Sequence, residues 1–136
     1  MQAFVVDTNV VVASLITNNT QSPVAQILDG MLTGKFVYLL SPDLLYEYRI
    51  VLNRPRLKEL HKLSASEIDV LLTELTANAV WREPSVSVPA PDAGDNHLWS
   101  LLAYQPEATL ITGDKLLLNN PPEFSKVITA AEAITI

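Results

Sequence analysis

Short apolar runs separated by stretches of helical spacing, two of them ending next to Asp7 and Gly113-Asp114, constrain this chain more than any other feature. Gln2 to Val6, Phe36 to Leu40 and Thr109 to Thr112 suit buried strands, and Val80-Trp81 and Val127-Ile128 suit briefer ones. Between them the pattern turns helical. Asp7-Thr8-Asn9 reads as a turn, after which Val10 to Ile16 begins a helix. Ser22-Pro23 offers an N-cap with proline at the first helical position, and Val24, Ile27, Leu28, Met31 and Leu32 recur at helical spacing until Gly34. Ser41-Pro42 opens another helix with Leu44, Leu45, Tyr48, Val51 and Leu52 on one stripe, and Pro55 closes it. Ser64 to Glu67 has capping-box spacing and starts a helix to about Ala77. Glu83 to Gly94 contains Pro84, Pro89 and Pro91 and reads as an ordered loop, after which Asp95 caps a helix through Tyr104. Gly113-Asp114 turns the chain, and a short helix starts from Thr129. This alternation predicts an α/β fold with a central, mainly parallel sheet covered on both faces.

The 136 residues suit a single domain, 1–136, and 49% hydrophobic content with 18% charged residues is enough to bury a substantial core. No apolar stretch is long enough to span a membrane and the first residues lack a secretory signal, so a cytoplasmic protein is expected. The absence of cysteine excludes disulfides, thiolate zinc sites, iron–sulfur clusters and cysteine nucleophiles. With only His61 and His97 as imidazoles, any metal site must rest mainly on oxygen. A net charge of −6 argues against a general nucleic-acid binder. The charge is uneven, however. Arg49, Arg54, Arg56, Lys58 and Lys62 cluster against Glu59 alone, as either a solvated helix face or a rim that contacts phosphate.

Ligands of open parallel sheets sit outside the carboxyl ends of the strands, where the strand order reverses. Asp7 and Asp114 each follow an apolar strand, although aspartate also caps helices and fills turns. Glu47 lies between Leu44 and Val51 at the edge of an apolar stripe, where a carboxylate needs a partner; a metal and Arg54 are the two candidates. Asp95 heads its helix on the side that bears Leu98, Trp99 and Leu102, a position that capping alone also explains. Four converging carboxylates would raise one another's pKa unless a cation neutralised them. All-oxygen ligation suits Mg2+ or Mn2+, which activates water and stabilises charge in phosphodiester hydrolysis.

Asp7-Thr8-Asn9-Val10, Glu47, Asp95-Asn96 and Thr112-Gly113-Asp114-Lys115, in this order and spacing, resemble the PIN-domain pattern over nearly the whole chain. The resemblance is nearest to stand-alone prokaryotic PIN proteins, which include toxins of the VapC type. It implies a three-layer α/β/α sandwich and a Mg2+- or Mn2+-dependent endoribonuclease acting on single-stranded RNA. Asp7, Glu47, Asp95 and Asp114 would be the catalytic, metal-binding acids; Thr112 and Asn9 would support the site. Asp92 would be an additional acid near the metal or a plain loop aspartate. Asn96, Lys115, Arg54 and Arg56 are candidate substrate contacts, with ordinary surface positions as the alternative. Trp81 and Trp99 could stack on bases, but their apolar settings favour core packing. The pattern departs at Leu116, where relatives often carry an outer aspartate, and at Thr129 to Glu132, where they tend to carry proline and phenylalanine. An antitoxin protein and a homodimer are the partners that the resemblance suggests.

Two other functions share parts of this pattern. A haloacid-dehalogenase-type phosphatase also places aspartate after its first strand, but it wants a second aspartate where this chain has Asn9. A non-cleaving PIN-like module that binds RNA or protein is the alternative to a nuclease, and the four acids give no sign of a lost site.

Overall fold

The computed structural model describes residues 2–136. Five strands, β1 (Ala3–Val6), β2 (Val37–Leu40), β3 (Val80–Trp81), β4 (Thr109–Ile111) and β5 (Lys126–Ile128), form one sheet in the order β3-β2-β1-β4-β5. Every pairing is parallel. The central strands β1 and β4 are buried at every position because helices cover both sheet faces, so no alternation of buried and wet positions arises. The expected α/β/α sandwich is therefore the observed one.

The caps explain where the helices start. α1 (Thr8–Ile16) begins on Asp7, so the expected turn at residues 7–9 shrinks to a single capping residue, with Thr8 and Asn9 already helical. α2 (Pro23–Thr33) begins on Ser22 and ends on Gly34, whose φ of 72° is a left-handed value that glycine adopts without penalty. α3 (Pro42–Leu52) begins on Ser41, and α5 (Ala65–Asn78) carries both bonds of the Ser64–Glu67 capping box. α6 (Asn96–Tyr104) follows a 3-10 turn at Ala93–Asp95, and α8 (Ala130–Ala133) starts on a second capping box at Thr129.

Two short helices depart from the sequence expectation. Pro55 does not merely end α3; it is the first residue of α4 (Pro55–His61), because a proline that breaks one helix is preorganised to start the next. Lys58 and His61 sit in the last turn of α4, favourably placed for its carbonyl end, and His61 ties back to Leu52 O at 2.9 Å. α7 (Lys115–Asn119) is a single turn begun by Asp114.

β1 leads outward to β2 and β3, whereas β4 leads the other way to β5, so the strand order reverses between β1 and β4. Val6 pairs with Ile111, which brings the following residues, Asp7 and Thr112, side by side at the carboxyl end of that pair. Asp7 N–H continues the ladder to Ile111 O at 2.9 Å. The core, built on β1, β2, β4 and the inward faces of α2, α3, α5 and α6, holds these strand ends from below.

Candidate active site

Asp7 is only 4% exposed, and its carboxylate is held by three donors. Thr8 N–H reaches Oδ1 at 2.8 Å, while Thr112 Oγ1 and Asn9 Nδ2 reach Oδ2 at 2.8 and 3.1 Å. Asn9 Nδ2 also donates to Thr112 Oγ1 at 3.2 Å, and Asn9 Oδ1 accepts from Gly113 N–H at 2.9 Å. Thr112 Oγ1 in turn accepts from Asp114 N–H at 3.1 Å. The first residues of α1 and the loop after β4 thus form one network. Burial pushes the Asp7 carboxyl up, the bonds from Thr112 and Thr8 pull it down, and repulsion from Glu47 adds to the rise.

Glu47 projects from α3 and resolves the question of its partner. It is not paired with Arg54: Thr8 Oγ1 donates to Oε1, and His97 Nε2 lies 3.0 Å from Oε2. Arg54 contributes only the weakest of the influences on Glu47. The His97 bond, ahead of burial and the Thr8 bond, sets the balance that holds Glu47 below its ordinary value. Burial lowers the His97 imidazole, but its bond to Glu47 and that charge outweigh burial and leave it raised. Sequence pattern alone does not mark His97 or Thr8 as a site residue. For His97 the available signal is a histidine two positions after Asp95, within one helical turn of a candidate acid.

Asp95 occupies the N-cap position of α6 but makes no side-chain cap bond. The preceding turn removes that need, with Asp92 Oδ1 accepting from Gly94 N–H at 3.1 Å. Capping therefore does not explain the Asp95 carboxyl. Its pKa is pushed up to about 6, by burial first and then by repulsion from Asp7, Glu47, Asp92 and Asp114. Asp114 accepts from Leu116 N–H at 2.9 Å as it starts α7.

A cleft of about 670 Å3 is lined by Asp7, Glu47, Asp95 and Asp114 together with Thr8 and Asn9. Its other wall is aliphatic, with Val12 and Ile16 from α1, Val24 from α2 and Val51 from α3. Thr112 lies beneath Asp7 and is fully buried. Asp92, Lys115, Arg54 and Arg56 are exposed and outside the lining. Asn96 Oδ1 accepts from Ala90 N–H at 2.8 Å and so braces the proline-rich loop. Trp99 belongs to the core, whereas Trp81 is partly exposed.

The donor chemistry suits a hard divalent cation, since every acid in the cleft offers oxygen and their mutual repulsion favours a positive charge among them. Among the described residues, no three acidic or histidine side chains already converge at ligating distance. Asp7 and Glu47 are held in place by their donors, so a cation entering the cleft requires movement chiefly of Asp95, whose carboxylate makes no cap bond.

Residues 3–116 match the PIN domain family. An uncharacterized protein of Methanocaldococcus jannaschii is 30% identical over 115 residues, covering 85% of this chain and 72% of that relative. The match spans β1 to the start of α7 and includes every acid of the cleft. No helix among the described residues is long and apolar enough to cross a membrane. On its sequence match and its α/β/α sandwich, the chain belongs to the PIN-domain family, a nuclease-type fold.

Proposed function

We propose that this chain is a metal-dependent endoribonuclease that hydrolyses phosphodiester bonds in single-stranded RNA with Mg2+ or Mn2+. The observation that carries this reading is the single cleft onto which Asp7, Glu47, Asp95 and Asp114 open at the reversal of strand order, with the Asp95 carboxyl raised by burial first and then by repulsion from the neighbouring acids. Residues 1–136 act as one PIN-like domain, since β5 extends the sheet beyond the matched residues and α8 packs back on α2.

Asp7, Glu47, Asp95 and Asp114 would hold the cation, which when bound supplies Lewis acidity toward the phosphodiester and activates water. Asn9 and Thr112 fix the Asp7 carboxylate so that its rotamer is set before substrate arrives. Thr8 and His97 fix Glu47 in the same way. The cleft lacks cysteine, serine and lysine in its lining, so the chain brings no side-chain nucleophile of those types, and water is the attacking group. The aliphatic wall of Val12, Ile16, Val24 and Val51 offers a nucleobase a face without edge-reading groups, which fits tolerance of sequence. Arg54 and Arg56, at the junction of α3 and α4, contact backbone phosphate outside the cleft, with Lys115 doing so beside Asp114.

The resemblance to VapC-type toxins extends this reading to a toxin–antitoxin pair whose protein partner covers the cleft. The test is incubation of the purified chain with single-stranded RNA, duplex RNA and single-stranded DNA, with Mg2+, Mn2+ or chelator. The expected result is internal cleavage of the single-stranded RNA only with metal. Intact RNA of varied sequence under all conditions overturns the proposal and favours the binding module.

A further inference from the structure

Glu47 reaches the cleft from α3 and Asp95 from the N-cap position of α6, a helix that packs against α3. His97 lies two residues beyond Asp95, and its Nε2 meets Glu47 Oε2 at 3.0 Å across 50 positions of sequence. The imidazole is mostly covered, with 13% of its side chain exposed against 29% for Glu47. An ionised carboxylate only accepts hydrogen bonds, so Nε2 carries the hydrogen that joins the pair. Nδ1 is buried and has no hydrogen-bond partner among the described residues, so Glu47 is the hydrogen-bond partner of the ring there. Thr8 Oγ1 holds the other oxygen, Oε1, from the first turn of α1. Each Glu47 oxygen is thereby gripped by one donor, and each retains a lone-pair direction for another partner.

From this geometry we propose that His97 is a positioning residue that holds Glu47 in ligating orientation and sets its separation from Asp95, so that α3 and α6 present their acids as a pair. The proposal rests on the nuclease reading above. It inverts the familiar arrangement in which a carboxylate orients a metal-ligating histidine: here the histidine stands behind the carboxylate. A donor at Nε2 is what the role requires, whereas an imidazole as such is not.

That requirement makes the test specific. The whole chain is titrated with Mn2+ alone by calorimetry, for the parent, His97→Ala, His97→Gln, Glu47→Gln and the Glu47→Gln/His97→Ala double variant, with circular dichroism to check folding. His97→Ala should weaken Mn2+ binding about 10- to 100-fold, the usual effect of removing a group that orients a ligand. His97→Gln, whose amide N–H can replace Nε2–H, should restore most of it. In the Glu47→Gln background, His97→Ala should cost no further affinity, because the residue acts only through Glu47. Parent-like Mn2+ binding by His97→Ala overturns the proposal, as does an equal loss in both backgrounds or a His97→Gln variant as weak as His97→Ala. If His97→Ala does not fold, the His97→Gln result and the thermal shift produced by Mn2+ decide in its place. A parent that binds no Mn2+ at all overturns the nuclease reading first, and this proposal with it.

Discussion

Thr112 Oγ1 donates to Asp7 Oδ2 at 2.8 Å, joining the ends of β4 and β1 across 105 positions of sequence. The same hydroxyl accepts from Asn9 Nδ2 and from Asp114 N–H, so one buried oxygen serves both strand-end acids. Thr112→Val keeps the shape and removes all three bonds. It is expected to cost about 1–3 kcal/mol of stability by leaving buried polar groups unpaired, and to weaken Mn2+ binding about 10-fold or more. Chemical denaturation and calorimetry check the two effects separately.

Asp95 yields a prediction in which stability and function move in opposite directions. Its carboxyl titrates at about 6 in the fold against 3.8 when unperturbed. The folded chain therefore binds more protons than the unfolded one between those values, and the metal-free protein loses stability as pH rises from about 4 to about 6. Solvent screening of this half-buried group keeps the effect to the order of 1 kcal/mol. Asp95→Asn should flatten this pH dependence and raise the melting temperature of the metal-free protein by a few degrees at pH 7. The same variant should bind Mn2+ more weakly. Thermal melts at several pH values in chelator, beside melts in Mn2+, test both halves.

Tyr48 is fully buried on α3, and its hydroxyl donates to Val6 O, the residue before Asp7. Tyr48→Phe removes the donor without opening a cavity of any size. A loss of about 1–3 kcal/mol is expected from the unpaired carbonyl, read as a shift in denaturation midpoint. Little change in midpoint would mean that Val6 O finds another partner.

The basic segment divides in two. Arg49 is engaged with Asp69 at 2.5 Å, but Arg54 and Arg56 at the start of α4 form no ion pair among the described residues. Neutralising Arg54 and Arg56 together should weaken RNA binding and reduce its salt slope by about 0.7 for each phosphate left without its cation. Mn2+ affinity should stay at the parent value. An unchanged salt slope reassigns both arginines to ordinary surface.

Much of this organisation is legible in local sequence. Ser22-Pro23, Ser41-Pro42 and Ser64 to Glu67 mark helix starts within a few residues because capping is a short-range interaction. The apolar runs mark the central strands because both sheet faces are covered. Two kinds of feature are not legible. α4 and α7 hold 7 and 5 residues, too few for periodicity to register, and Pro55 carries opposite meanings for the helices on its two sides. The partner of Glu47 is hidden for a different reason. Arg54 lies two turns along from it in sequence, whereas His97 arrives from a helix 50 positions away by way of the chain's return across the sheet. Similarly, Asp95 has the sequence position of a capping residue, and only the turn at Ala93–Asp95 shows that its carboxyl makes no cap bond.

The central claim, a metal-dependent ribonuclease built on the cleft acids, is tested most directly by one comparison. Parent, Asp7→Asn and Asp114→Asn are incubated with single-stranded RNA and saturating Mn2+, and initial cleavage rates are measured. The parent is expected to cleave internally, and each variant to lose roughly 100-fold or more in rate, the scale of losing a group that stabilises the transition state. Equal rates in all three, or no cleavage by the parent of any RNA offered, would contradict the account.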